Sequence, residues 1–524
     1  MPEPLQPKKP EMHLVASLGP AGGAPLPDTP FRVAVLGDFG AGAGVRRLVE
    51  IDRDNFDDVL RSLGVGLRLR LSDRERGEPL TLAFEGLEDF HPDRIYERLE
   101  IFQSLRRTRR RLEDPSTFDS AAAEVRAWAR HVAAAPTPPE PEATADARQG
   151  QQEEGGFARD LVEELLNAPQ GAAAVRHPEG LSDLNGFLRE IVLPHVTPSE
   201  DARKPELIDA VDAAAGRLMR AVLHHTDFQR LEAAWRALHL LVSKAETGAT
   251  LKLYLLNLTR EGLAEGLRAG EGERAGSLQK LLIEEAVATS GGEPWSLLLG
   301  DYTFEPTRGD AELLRAIAVV AQQAGAPFVA AGGPRVAGCE SFAATPDPAD
   351  WRRPEWDGDD ARAWVELRRS PGARHLGLAV PRFLLRLPYG RETEPAERFN
   401  FEEFEEGVSG HEDYLWGNPA FLCGHLLAEA FSRSGWGMRP GEVKEVEGLP
   451  LHVFESDGES QAKPCAEMLL TERAAEGLLE CGVMPLLSFK HGDTVRLARF
   501  QSLADPTAGL AGRWAPATGS TPNS

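Results

Sequence analysis

The first residues able to do chemistry are glycines. Gly37-Asp-Phe-Gly40-Ala-Gly42-Ala-Gly44 follows the apolar run Phe31-Arg-Val-Ala-Val-Leu36, where a phosphate-cradling loop would sit. A Walker A loop needs Lys and then Ser or Thr after its last glycine, to hold phosphate oxygens and magnesium; Val45 and Arg46 stand there instead. A dinucleotide fingerprint needs G-x-G-x-x-G, whereas the spacing here is Gly40-x-Gly42-x-Gly44. The glycines therefore read as a structural turn. His224-His225 and His411-Glu412-Asp413 are the histidine groups. Neither forms HExxH, and adjacent residues on a helix point about 100° apart, so they read as core or surface histidines rather than paired metal ligands. There is no GxSxG elbow, and acid pairs such as Glu284-Glu285 are frequent in so acidic a chain. No catalytic residue, cofactor or metal is expected.

The run Arg106-Arg107-Thr108-Arg109-Arg110-Arg111 is the one candidate for nucleic acid. No aromatic residue is interleaved to stack on bases, and Glu97, Glu100 and Glu113 lie nearby, so the run reads as a solvated helix end or a face for an acidic protein surface. The chain's own second part is one such surface. Over the 524 residues, Lys+Arg number 58 and Asp+Glu 82, a net charge of -24. Residues 1–132 carry only -2 of this and the remainder -22. Such a balance repels nucleic acid and anionic membrane over most of the surface. Cys339, Cys423, Cys465 and Cys481 show no CxxC spacing, which fits a reducing compartment, and neither a signal peptide nor a bilayer-spanning run is apparent; a cytoplasmic protein is expected.

The elements that position these residues follow from periodicity. Residues 1–30 read as a loose tail. Residues 31–132 read as a small β-α-β-β-α unit with its own core: strands at 31–36, 65–71 and 80–84, a helix at 51–63, and a long helix opened by His91-Pro92 and running to about Leu112. Residues 133–156 contain no Val, Ile, Leu or aromatic residue and read as a Pro/Glu-rich linker. Residues 157–505 alternate helices (157–167, 206–242, 277–289, 310–324, 418–433, 471–480) with strands (251–258, 297–304, 327–331, 375–387, 451–455, 495–502), as a layered mixed α/β (α+β) domain would. Residues 506–524 read as a second tail. Pro, Gly and aromatics cluster at turns, as in Pro381-Arg-Phe-Leu-Leu-Arg-Leu-Pro-Tyr-Gly390 and Leu415-Trp-Gly-Asn-Pro419, building a rigid scaffold rather than a reacting site.

At these residues a family becomes visible. FRVAVLGDF at 31–39, IDRDNF at 51–56 and LEDFHPD at 87–93 resemble the small subunit of the type VI secretion contractile sheath, TssB or VipA. Residues 157 to about 505 resemble the large subunit, TssC or VipB, through HHTDFQRLEAAW at 224–235, GGEPW at 291–295, GDYTF at 300–304, APF at 326–328, the 381–390 stretch, DYLWGN at 413–418 and Gly435-Trp436. The chain thus looks like both subunits fused through the linker. The resemblance marks Gly37, Asp38, Phe39, Asp52, Arg53, Phe56, Asp89, Phe90 and Pro92 in the first part as structural or interface positions. In the second part it marks Trp235, Gly292, Pro294, Asp301, Tyr302, Pro381, Arg382, Arg386, Pro388, Tyr389, Trp416 and Trp436.

What the resemblance implies is noncatalytic: a heterodimer that polymerises with other copies or other sheath subunits into a helical tube around an inner tube, on a baseplate, with strands exchanged between neighbours. It also implies that a helix at the start of the large subunit, here Phe157–Asn167, is read by a recycling AAA+ ATPase. The family's large subunit continues past the equivalent of Asp505, supplying terminal strands, and its small subunit has a further helical segment after about Val132. The expected function is therefore a structural sheath component. The alternatives are a nonpolymerising accessory protein that binds a sheath and, third, a nucleotide-binding enzyme.

Overall fold

The computed structural model describes residues 25–40, 47–71, 79–133, 204–268, 278, 281–283, 293–345, 347–351, 358–405, 408–456 and 459–514. In chain order the first part holds β1 (Phe31–Gly37), β2 (Leu48–Ile51), α1 (Phe56–Leu63), β3 (Gly66–Leu69), β4 (Leu80–Ala83), α2 (Pro92–Arg98), α3 (Glu100–Glu113) and α4 (Phe118–Ala133). There follow α5 (Lys204–Leu223), α6 (Thr226–Lys244), β5 (Leu251–Asn257), α7 (Arg260–Arg268), β6 (Leu297–Phe304), α8 (Arg308–Ala324), β7 (Phe328–Gly332) and α9 (Asp359–Arg369). The rest comprises β8 (Leu376–Val380), β9 (Phe383–Leu384), β10 (Trp416–Gly417), α10 (Ala420–Ser434), β11 (Glu445–Val446), β12 (His452–Ser456), β13 (Glu459–Lys463), α11 (Glu472–Glu480), β14 (Val483–Ser488) and β15 (Val495–Leu497). Mixed α/β is the class, as expected.

The small unit keeps the two-stranded sheet of β3 and β4 to itself, but not its core. Its first strand lies inside a nine-stranded sheet of order β11-β15-β14-β8-β7-β6-β1-β5-β2. β1 runs parallel to β5 from Phe31↔Leu251 to Gly37↔Asn257, and parallel to β6 from Val33↔Leu297 to Leu36↔Gly300. A parallel strand covered on both faces reads as a continuous apolar run, and FRVAVLG is such a run, buried at every position except Arg32. Val33 and Val35 join the aliphatic and aromatic core containing α5, α6 and α10; Ala34 and Leu36 join the core under α8 on the opposite face. The expected independent core is corrected accordingly: β1 alternates its side chains between two cores that the later residues build.

Several boundaries also move, each for a local reason. The helix expected from His91 to Leu112 breaks at Leu99 (φ -75°, ψ 129°) into α2 and α3. The long helix over 206–242 breaks at His225 (φ -64°, ψ 128°), whose Nδ1 accepts the Asp227 N–H at 3.2 Å and caps α6; His91 caps α2 from Asp93 N–H in the same way. The strand expected over 375–387 is two, β8 and the short β9, and the last strand ends at Leu497. Neither β13, too polar to alternate, nor β14, interrupted by Pro485, was marked by periodicity.

The tail expected from residue 506 begins no earlier than 515. Ala511 N–H bonds the Arg374 carbonyl, Leu510 is buried, the Arg513 guanidinium donates to the Trp295 and Ala324 carbonyls (3.0 and 2.8 Å), and Trp514 stacks on Phe31 at 6.5 Å. Ala133, expected as the first residue of the linker, ends α4; the rest of the linker at 134–156, the 157–167 helix and most of the 277–289 helix lie outside the described residues.

A strand held in the middle of a sheet does not leave when its covalent tether is cut. A chain cleaved at a protease site engineered into residues 133–156 should elute from a sizing column as one species at low micromolar concentration. Separate fragments would contradict the shared sheet.

Candidate functional site

Where β1 ends, the side chains flanking it are built to hold two parts of the chain together. Phe39 N–H bonds the Asn257 Oδ1 at the end of β5 (2.8 Å), and the Phe39 carbonyl accepts the Trp235 indole N–H from α6 (3.1 Å). Trp235, fully buried, meets the rings of Phe39 and Phe56 edge-on at 5.4 and 5.6 Å. Asp52 organises the turn before α1 by accepting the Asp54 and Asn55 N–H groups, and Arg53 donates to the Ser243 carbonyl at the end of α6. Phe90 stacks on Phe84 at 4.1 Å and lies against Phe228 of α6; Asp89, buried, accepts the Glu85 N–H and pairs with Arg98 at 2.7 Å. Pro92 is the first residue of α2.

Further out the seam is polar. Asp93 accepts the N–H groups of Glu397 and Arg398 (both 2.9 Å), Arg398 pairs with Glu97 (2.9 Å), and Tyr96 stacks on Phe399 at 4.2 Å. Arg109 of α3 pairs with Asp212 of α5 at 2.7 Å, so part of the arginine run faces the acidic second part of the chain, as expected. On the opposite side, Trp436 donates its indole N–H to the Thr29 carbonyl (2.7 Å) and packs on Phe31.

Behind the seam is a buried ionic network. Arg386, 6% exposed, bonds Glu232 Oε1 of α6 (2.8 Å) and Glu403 Oε2 (2.7 Å), which are 0% and 1% exposed. Arg236 bonds Glu232 (2.7 Å) and the Tyr389 hydroxyl (2.9 Å), and Glu403 accepts the Tyr389 N–H (2.7 Å). Burial alone would raise the Glu403 carboxyl, but the Arg386 guanidinium, helped by the His224 ring 3.4 Å away, outweighs it and holds it down at about 2. Burial pushes the Tyr389 hydroxyl well up against the pull of the two arginines, so it stays a neutral donor and acceptor. A second group joins Arg382, Glu467, Glu412, His411 and Lys463 beside Trp416, whose indole donates to the His411 carbonyl.

His411, Glu412 and Glu467 are the one group of three potential metal ligands among the described residues. Two side-chain cations already sit within it: Arg382 lies 2.6 Å from Glu467 and Lys463 Nζ 2.8 Å from His411 Nδ1. A dication there would meet their repulsion.

Gly42 and Gly44 lie outside the described residues; Gly37 to Gly40 lie at the carboxyl end of β1. That is the switch point of the sheet, where doubly wound folds bind ligands, since β5 and β6 flank β1 on opposite sides. The position is acidic. Asp38, paired with Arg230 at 3.2 Å, and Asp301 of β6 both stand there, and a Cβ on Gly37 would come within 2.8 Å of Asp301 Cβ. Two carboxylates at this end disfavour a phosphate. Tyr302 donates to the Leu258 carbonyl at 2.6 Å, tying β6 to the end of β5. Pro294 lies just ahead of β6, Pro381 follows β8 and Pro388 precedes Tyr389; Gly292 lies outside the described residues.

Glu232, Arg236, Asn257, Glu403 and Asn418, whose amide donates to the Tyr302 carbonyl at 3.2 Å, complete this geometry without having been singled out. One sequence signal was available for Glu232: it shares the helical face of Phe228, Leu231 and Trp235, where an acid needs a buried partner.

A family model described as "EvpB/VC_A0108, tail sheath N-terminal domain" (VipB) matches residues 205–504, more than half of the chain. The chain belongs to the VipB tail sheath family. A second model, "Type VI secretion system, VipA, VC_A0107 or Hcp2", matches residues 20–127, so the β1 that completes the VipB sheet comes from the VipA-like part. A relative from Pseudomonas aeruginosa, the type VI secretion system sheath protein TssC1, is 37% identical over 320 residues. That alignment covers 59% of this chain and 63% of the relative, less than two thirds of its length.

Two outcomes follow from the buried charges. Arg386→Met keeps an unbranched apolar stem but removes the guanidinium and leaves Glu403 without its cation. A loss of about 3–5 kcal/mol is expected from the urea midpoint, and an unchanged midpoint would show the network to be dispensable. The second concerns pH. Burial pushes Glu305 up to about 7 from 4.5, and its Oε2 has no hydrogen-bond partner among the described residues. Its stability contribution is complete below about pH 4.5 and is lost as pH rises through about 7. Glu305→Gln should therefore raise the melting temperature at about pH 8 and leave it nearly unchanged at about pH 5, a pattern read by a thermal scan at each pH. Glu403 and Glu467, both held at about 2, act in the opposite sense, losing their contribution as pH falls from 4.5 through 2.

Proposed function

We propose that this chain is a structural, noncatalytic protomer of a type VI secretion sheath, with the small- and large-subunit cores in one polypeptide. The single observation supporting this most is the place of β1: a VipA-like strand paired on both sides by VipB-family strands, which is a subunit interface made intramolecular. Tethering replaces a bimolecular encounter by an effective concentration on the order of mM. The proposed partners are further copies or other sheath subunits, the inner tube and the baseplate. A recycling AAA+ ATPase is proposed from the resemblance at 157–167. A cytoplasmic location is proposed on the same grounds, and no helix among the described residues is long and apolar enough to cross a membrane.

The spans of the two subunit-like parts are proposed as 31–132 and 157–514, the second extended past 505 by the packing of Leu510, Arg513 and Trp514, and the family-signature residues as the joints between them. Polar side chains in this seam are spent on backbone carbonyls, N–H groups and one another, as suits a scaffold that bears load. Co-expression with the proteins of its own gene cluster should give hollow helical tubes in negative-stain micrographs. Monomers under every condition, with the inner-tube protein present, would contradict a sheath.

A further inference from the structure

The arginine run is only partly used within the chain. Arg109 pairs with Asp212 and Glu113, Arg111 with Glu124, and Arg106 lies over the Tyr96 ring at 5.5 Å. Arg107 and Arg110 are exposed and carry no ion pair among the described residues. Three apart on α3, they share one face.

A site of opposite character exists elsewhere on the same chain. A cleft of about 850 Å³ lies between the end of α6, the outer face of α10 and residues 441–447, which include β11, the terminal strand of the sheet. Five carboxylates line it (Glu246, Glu429, Glu442, Glu445, Glu447) against Lys244, Arg433 and Lys444. Glu429 is taken by Arg433, and Glu445 faces Arg496 at 3.8 Å. Glu246, Glu442 and Glu447 are exposed and carry no ion pair among the described residues. His425, 6% exposed, also lines the cleft; burial brings its imidazole down to about 4, so near neutral pH it adds no positive charge to the wall.

We propose that Arg107 and Arg110 of one copy dock in the β11 cleft of a second copy. Charge complementarity selects the occupant: guanidinium groups without an ion pair among the described residues stand on a nearly neutral first part, and in the cleft the five carboxylates outnumber Lys244, Arg433 and Lys444, on a second part carrying a net charge of -22. The two patches differ, so the contact is heterologous and repeats from copy to copy without needing to close. It rests on the sheath reading for its biological sense, but its charges can be tested alone.

The test is sedimentation of the full chain over a range of concentrations, at low salt and at about 0.5 M salt, where screening shortens the reach of exposed charges to a few Å. Wild type should associate at low salt and dissociate at high salt. R107E/R110E and E442K/E447K should each weaken association about tenfold or more, and an equimolar mixture of the two should restore it. Wild type that stays monomeric, or variants that associate as wild type does, or no restoration in the mixture, overturns the contact. Binding of single-stranded DNA that R107E/R110E abolishes, without self-association, overturns it in favour of nucleic acid. Micrographs separate this contact from the sheath reading. Tubes formed equally by wild type and R107E/R110E refute the contact and leave the sheath; charge-sensitive association without tubes does the reverse.

Discussion

Backbone hydrogen bonding along β1 is the constraint on which the remaining structure depends. A strand flanked by parallel neighbours must present N–H and C=O groups to both sides while both faces are buried, so its sequence must be short, apolar and uninterrupted. FRVAVLG meets this, and its neighbours are β5 and β6, more than 200 residues later in the chain. Removing β1 would expose two strand edges in the centre of the sheet and strip one side from each of two cores. The VipA-like part is therefore part of the VipB-family fold.

Everything around that strand fixes its position. Trp235 reads the end of β1 through the Phe39 carbonyl, and α6, which carries Trp235, also carries Glu232 and Arg236 into the ionic network. One helix thus links the aromatic contact with the first part to the Pro381–Gly390 segment. Buried ion pairs give little net stability but tolerate few alternative geometries. That suits a protein whose copies would have to present identical surfaces along a tube.

Local periodicity made much of this visible, because a strand's burial on both faces and a helix's apolar stripe are written in neighbouring residues. FRVAVL, the α1 face of Phe56, Val59, Leu60 and Leu63, and the Pro92 helix start are examples. Partners were not visible: nothing within residues 31–37 states that β5 and β6 flank them, and so the small unit looked able to hold its own core. Glu403 was hidden for a different reason. Within FEEFEEGVSG it is indistinguishable from the solvated acids around it, and only Arg386 arriving from another segment makes it a buried partner. His225 and Leu99 broke helices through a single backbone step that hydrophobic spacing does not record. Residues 506–514 deceived by composition: among their Ala, Gly and Pro residues, Leu510, Arg513 and Trp514 supply enough contacts to hold them.

Hydrogen exchange of the full chain, read by mass spectrometry on peptides covering β1, β5 and β6, bears most directly on the shared sheet. If β1 is a central strand, its amides should exchange together with those of β5 and β6, and only through global unfolding. Amides of residues 31–37 exchanging well ahead of those at 251–257 and 297–304 would show that β1 opens independently, and the two parts of the chain would then be neighbours rather than one sheet.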